Sequence, residues 1–94
     1  MMEIKHIENG RKGSFQVGEN ESIQAQMTYL WSGTQKIIVD HTFVSPSLQG
    51  KGIGKQLFDQ MIGFAREKKI KVLPLCPFAR AQFDKDPQLN DVLF

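Results

Sequence analysis

Apolar and polar positions alternate through the first half of the chain, then change period. Glu3–Glu8 reads as a strand with Ile4 and Ile7 as apolar anchors out of strict two-residue period, and Asn9-Gly10 supplies a turn that tolerates positive φ. Ser14–Gly18 sets Phe15 and Val17 on one face, and Glu19-Asn20-Glu21 interrupts the pattern. Ser22–Trp31 alternates cleanly, with Ile23, Ala25, Met27, Tyr29 and Trp31 opposite Gln24, Gln26 and Thr28. Ser32-Gly33-Thr34 then turns the chain into Lys36–Val44, where Ile37, Val39, His41 and Phe43 are expected to share one side. Such short connections favour an antiparallel meander.

From Ile53 the apolar residues recur at Leu57, Phe58, Met61, Ile62 and Ala65, the spacing of a helix with one buried stripe. Gly63 weakens that helix by roughly 1 kcal/mol relative to alanine, while Arg66, Lys68 and Lys69 suit the negative end of its dipole. A fifth strand, Lys71–Leu75, follows at once, and Pro74 marks an edge or irregularity within it. Strand, helix and strand with short joints imply a right-handed crossover, so the fourth and fifth strands are expected to be parallel neighbours. A short helix over Pro77–Phe83 ends at Asp86-Pro87, and the tail is expected to pack back through Leu89, Val92 and Phe94. The fold class is α/β (α+β): a mostly antiparallel sheet with one parallel pair, one main helix and a short C-terminal helix.

A chain of 94 residues is expected to form one domain, so any site must be built on a single sheet and its helices. The net charge of +2 is too small to argue for nucleic acid. No apolar run approaches the ~20 residues of a membrane span, and no secretory leader is read at the start. The lone Cys76 cannot form an internal disulfide, and alone it makes a poor metal site; with the rest, this points to a reducing cytoplasm. A monomer or weak dimer is expected.

The chemistry concentrates in Ser45–Lys55. Gly50, Gly52 and Gly54 stand at alternate positions just before the main helix, an arrangement that costs chain entropy unless the backbone needs it. Glycines uncover amide protons, the first helical amides lack intrahelical partners, and Lys51 and Lys55 add positive charge. Together they make an anion site suited to phosphate; the plain alternative is a flexible turn opening an ordinary helix. Gly50-Lys51 is followed by Gly52 rather than Ser or Thr, so this is not a Walker loop, and the glycine spacing departs from the dinucleotide fingerprint.

Gln49-Gly50-Lys51-Gly52-Ile53-Gly54 resembles the Gln/Arg-x-x-Gly-x-Gly/Ala segment of GNAT acetyltransferases, which also follows a strand and opens a helix. His41-Thr42-Phe43-Val44 and Leu75-Cys76-Pro77-Phe78 are similar to the small single-domain GNAT-like proteins, whose pattern is a His-Thr-x-Val strand, a glycine loop and a Pro-x-Cys turn. The resemblance covers roughly residues 36 to 92. It implies a coenzyme A site in which the amides of Gln49, Gly50, Lys51, Gly52, Ile53 and Gly54, with Lys55 beside them, cradle the pyrophosphate. Main-chain groups of Phe43, Val44 and Ser45 would meet the pantetheine arm, between fourth and fifth strands that splay apart.

Cys76 precedes Pro77, which favours the first helical position, so Cys76 is expected to be a helix N-cap. A thiolate there is stabilised by free amides, although an unpaired cysteine is also a common small core residue. The small GNAT-like proteins carry a cysteine at this place, which implies a role in acyl transfer. His41 is a candidate general base for an amine or a hydrogen-bonded sheet residue. Larger GNAT enzymes use a tyrosine after the fifth strand as an acid; Phe78 and Phe83 stand in that region, and Tyr29 is the chain's one tyrosine.

The expected function is acetyl transfer from acetyl-CoA to an amine, a protein amine among the candidates. The oxyanion would be held by a strand amide near Val44, or the acetyl group would pass through Cys76. The rivals are a non-catalytic CoA- or acyl-CoA-binding module and a protein- or RNA-binding domain using the basic run Arg66–Lys71.

Overall fold

The alternating apolar runs of the sequence become the strands of one five-stranded sheet, and the runs of helical spacing become its helices. A computed structural model of the protein describes residues 3–19 and 22–94. Along the chain stand β1 (Lys5–Glu8), β2 (Lys12–Glu19), β3 (Ser22–Trp31), β4 (Lys36–Val44), α1 (Ile53–Lys68), β5 (Lys71–Pro74) and α2 (Pro77–Lys85). Short 3-10 helices at Pro46–Leu48 and Pro87–Asp91 complete them. The strands lie in sequence order, antiparallel except for the parallel pair β4–β5. The expected break at Glu19-Asn20-Glu21 falls largely outside the described residues, since Asn20 and Glu21 are not among them.

One face of the sheet carries the core. Phe15, Ala25, Met27, Tyr29, Ile37, Val39 and Val72 are buried there beneath Leu57, Phe58, Met61, Ile62 and Ala65 of α1. The Val, Leu, Ile, Met and Phe side chains among them each contribute roughly 1.5–3 kcal/mol by leaving water. Ala79 and Phe83 of α2 join the same cluster, with Phe83 edge-on to Phe58 at 5.3 Å between ring centroids. α1 ends where Lys69 turns left-handed (φ 58°), letting its own amide reach Arg66 and the Ile70 amide reach Ala65.

Several expectations change. β1 begins at Lys5 rather than Glu3, β2 extends beyond Ser14–Gly18 at both ends, β5 stops at Pro74, and α2 runs two residues past Phe83. Val92 is buried and Leu89 partly so, but Phe94 is 65% exposed, with the Lys36 ammonium 3.7 Å from its ring centroid. The tail instead lines the free edge of β5, where the Val72 amide donates to Val92 and the Phe94 amide to Val72.

The largest correction is in β4. Thr28 pairs with His41 while the next residue, Tyr29, pairs with Val39, so Asp40 is an extra residue forming a β-bulge. The bulge reverses the alternation: Ile37 and Val39 face the core, then Thr42 and Val44 do. His41 and Phe43 do not share a side with Val39; both are exposed on the opposite face.

Candidate functional site

The bulge coincides with the place where β4 and β5 part. Their pairing runs from Lys36–Lys71 to Val39–Pro74 and stops. The Val39 carbonyl there accepts the amides of both Leu75 and Cys76 at 3.0 Å. Past this apex, β4 is paired with β3 along one edge only. The Ser45 amide donates to Gln24 at 2.7 Å, so Ser45 is committed to β3. By the alternation of strand hydrogen bonding, Val44 then turns its main-chain groups to the open edge. There the Gln49 side-chain amide donates to the Val44 carbonyl at 3.3 Å.

Gly50 (φ 82°) and Gly52 (φ 74°) are left-handed, and apart from their chain neighbours no atom of the described residues lies within 4 Å of where a Cβ would stand on either, so their need is conformational. Gly52 is the N-cap of α1 and no side chain caps the helix. The first helical bond runs from Gln56 to Gly52 at 3.1 Å, which leaves the amides of Ile53, Gly54 and Lys55 without intrahelical acceptors. Gly54 is a glycine for another reason. It is buried, and a Cβ there would come within 2.9 Å of the Phe78 ring.

Loop, open edge and α2 enclose a cleft of about 250 Å³, lined by Val44, Gln49, Gly50, Gly52, Ile53, Gly54 and Lys55. Phe43, Ser45 and Lys51 are outside its lining, while Leu48, Phe78 and Gln82 complete it. Phe78 could have been foreseen only by knowing that Gly54 makes room for it. The Lys55 ammonium pairs with Asp59 at 2.8 Å, an exposed contact that solvent screens; Lys51 forms no ion pair among the described residues.

Cys76 is the N-cap of α2, as its sequence context implied, and its carbonyl accepts the Arg80 amide. Its thiol is buried at 4% exposure and donates to Thr42 Oγ1 at 3.2 Å. Thr42 escaped the sequence reading because continuous alternation puts it on the wrong face. His41 stands one residue away on the outer face, so the two catalytic candidates flank β4 from opposite sides.

Tyr29 belongs elsewhere. Its hydroxyl donates to Glu8 Oε2 at 2.7 Å and lies 2.6 Å from His6 Nε2, while Trp31 Nε1 donates to the same carboxylate oxygen at 2.7 Å. Desolvation and the Glu8 bond push the Tyr29 phenol up from its ordinary value. The Tyr29 bond holds the Glu8 carboxyl below its usual range, and burial lowers His6. With its hydroxyl hydrogen-bonded to Glu8, the phenol is not free to act at the cleft. Among the described residues no cluster of three or more His, Cys, Asp or Glu is placed to hold a metal, and no helix is long and apolar enough to cross a membrane.

Residues 14–92 match the family model described as GCN5-related N-acetyl-transferase. A GCN5-like protein from Staphylococcus aureus, solved by NMR, is 34% identical with a TM-score of 0.79; the match covers 98% of this chain and 87% of that one. The ribosomal-protein-alanine N-acetyltransferase of Brucella melitensis is 20% identical at a TM-score of 0.66. That match covers 82% of this chain and 62% of the other. A GNAT family acetyltransferase from Elizabethkingia anophelis, solved with acetyl-CoA bound, is 15% identical at 0.63, with coverages of 78% and 63%. These last two share the fold, and the matches span less than two thirds of their length. No curated protein matches the chain.

Proposed function

The chain belongs to the GCN5-related N-acetyltransferase family, and from that premise we propose that it binds acetyl-CoA and transfers the acetyl group to an amine. The observation that carries the reading is the uncapped start of α1 beside a strand edge that has lost its partner. An elongated ligand with an anionic middle and an amide-bearing arm fits that pair of features. The left-handed Gly50 and Gly52 leave room for a diphosphate against the amides of Ile53, Gly54 and Lys55, with Lys51 at the rim. The open edge of β4 at Val44 offers main-chain groups to the arm; Ser45 does not, because its amide is spent on Gln24.

Acetyl-CoA, as the acyl donor, supplies an activated thioester carbonyl. The chain's contribution lies at the apex. Cys76, held by Thr42 and by the Val39 carbonyl, is the candidate to attack the thioester, releasing coenzyme A as its thiol, and then to yield the acetyl group to the amine as its own thiol is regenerated. In direct transfer, the amine instead attacks the thioester carbon and its proton goes to His41. The Val44 amide steadies the oxyanion, which collapses with cleavage of the C–S bond to release coenzyme A as the thiolate, protonated by Cys76 or water. Arg66 is engaged by Asp91 at 3.0 Å and Lys71 by the Asp91 carbonyl, so the basic run offers less to nucleic acid than its sequence suggests. A cytoplasmic setting fits the single unpaired cysteine.

Titration calorimetry with acetyl-CoA, followed by intact-mass and peptide-level analysis with a panel of amines, tests the reading. Binding with acetylation of Cys76 or of an amine is the expected result. Binding alone would leave a CoA-binding module, and absence of binding would overturn the proposal.

A further inference from the structure

The helices cover one face of the sheet; the other bears a groove of about 460 Å³ that includes Ile7, Ser14, Thr28, Leu30 and Asp40. The strand register explains it. Ile7 pairs with Ser14, Ser14 with Thr28, and Thr28 with His41, so one row of side chains crosses four strands on this face. The bulge adds Asp40 to the end of that row, and its carboxylate accepts the Thr28 hydroxyl at 2.7 Å. Asp40 directly follows Val39, whose carbonyl anchors the Cys76 amide. The charged end of the groove therefore stops at the apex where β4 and β5 part.

From this juxtaposition we propose that the outer-face row is the subsite for the acceptor, and that the acceptor is an aliphatic primary amine. Its ammonium would sit against Asp40 and Thr28, with its hydrocarbon chain along Ile7 and Leu30. Charge complementarity selects this occupant: among the described residues Asp40 is the only acidic side chain lining the groove, and it lies at the apex end. Lys12 lines the same groove and disfavours a second cation, so the far end of the acceptor should be neutral or acidic. The amine would approach from the outer face while the acyl donor lies along the open edge of β4. His41, beside Asp40 in the same row, would stand ready to take the amine's proton. The assignment rests on the acetyl-transfer reading for its meaning, but the groove can be tested without any acyl donor.

Titrating the full chain with Nα-acetyl-lysine and following backbone amides by NMR reads the groove directly. Saturable shifts should centre on Ile7, Ser14, Thr28 and Asp40. Asp40→Asn should weaken binding about tenfold or more, and Asp84→Asn, which removes the same charge from α2, should leave it unchanged. Should Asp40→Asn fail to fold, Ile7→Lys, which sets a cation on the hydrocarbon path, should weaken binding comparably. Shifts centred elsewhere, or affinity indifferent to these groove changes, would overturn the proposal. In the acetyl-transfer assay the same variants should raise KM for the amine while Cys76 acetylation stays as in the parent. Loss of Cys76 acetylation alone would count against the donor reading and leave the groove standing.

Discussion

The Cys76 thiol and the Thr42 hydroxyl meet at 3.2 Å across the point where β4 and β5 part company. Neither position is informative alone. The N-cap geometry brings Cys76 to the start of α2, and the bulge turns Thr42 inward to receive it. Thr42 should therefore orient the thiol without touching the pyrophosphate cradle. Thr42→Val, which keeps shape and removes the hydroxyl, should slow Cys76 acetylation about five- to tenfold, the worth of one hydrogen bond. CoA affinity should change less than threefold, and Thr42→Ser should restore most of the rate. Equal rates for the valine and serine variants would reduce the contact to packing.

The cradle has its own test. Gly52→Glu forces a side chain into a left-handed N-cap and adds negative charge where the diphosphate would sit. The backbone strain alone is on the order of 1–2 kcal/mol, an amount a folded domain survives. Calorimetry should show CoA affinity reduced more than tenfold while circular dichroism stays native. Retained affinity would mean the diphosphate lies elsewhere.

Most of the architecture was legible because burial writes its period into the sequence. β3 and β4 carry the expected bounds, and the helical stripe from Ile53 to Ala65 is the one that packs. What escaped was a register fact. Ile37, Val39, His41 and Phe43 alternate without a break, so nothing local announces that Asp40 is extra; the bulge is defined only by the pairing of Thr28 and Tyr29 opposite. The same limit hid Thr42 from the candidate site and put His41 on the wrong face. The glycine loop was readable as a motif, but the separate reason for Gly54 depends on Phe78, which is distant in sequence.

Gly13 illustrates a contact of that kind at the opposite end of the core. A Cβ there would lie 2.3 Å from both Cζ and Oη of Tyr29, a buried ring that hydrogen bonds fix at its tip. Gly13→Ala should lower stability by about 2 kcal/mol, within the usual cost of overpacking. In a Tyr29→Leu background the same substitution should cost much less. Chemical denaturation of the four proteins gives the coupling; additive effects would show that the ring yields freely.

Tyr29 also ties the protein's stability to pH. Its hydroxyl donates a hydrogen bond to Glu8, so in the 2.6 Å contact with His6 the phenol oxygen accepts and His6 Nε2 carries the hydrogen. Burial lowers His6 below its ordinary 6.5, opposed by Glu8 and aided by Lys68. The unfolded chain therefore binds more protons than the folded one as pH drops through that value, and stability falls. Glu8, held below 4.5 chiefly by the Tyr29 bond, adds a second acid loss as pH falls through its folded value. Tyr29 runs the other way. Burial and Glu8 raise it above 10.0, so stability is intact below that pH and declines above it, where only the unfolded phenol ionises. Thermal melts should thus peak between about pH 7 and 9, and Tyr29→Phe should flatten both the carboxylate step and the alkaline decline. Tyr29 is the chain's single tyrosine, so phenolate absorbance reports it alone. Ionisation in alkali should coincide with unfolding, and a phenol that titrates near its ordinary value in the folded protein would sink this account.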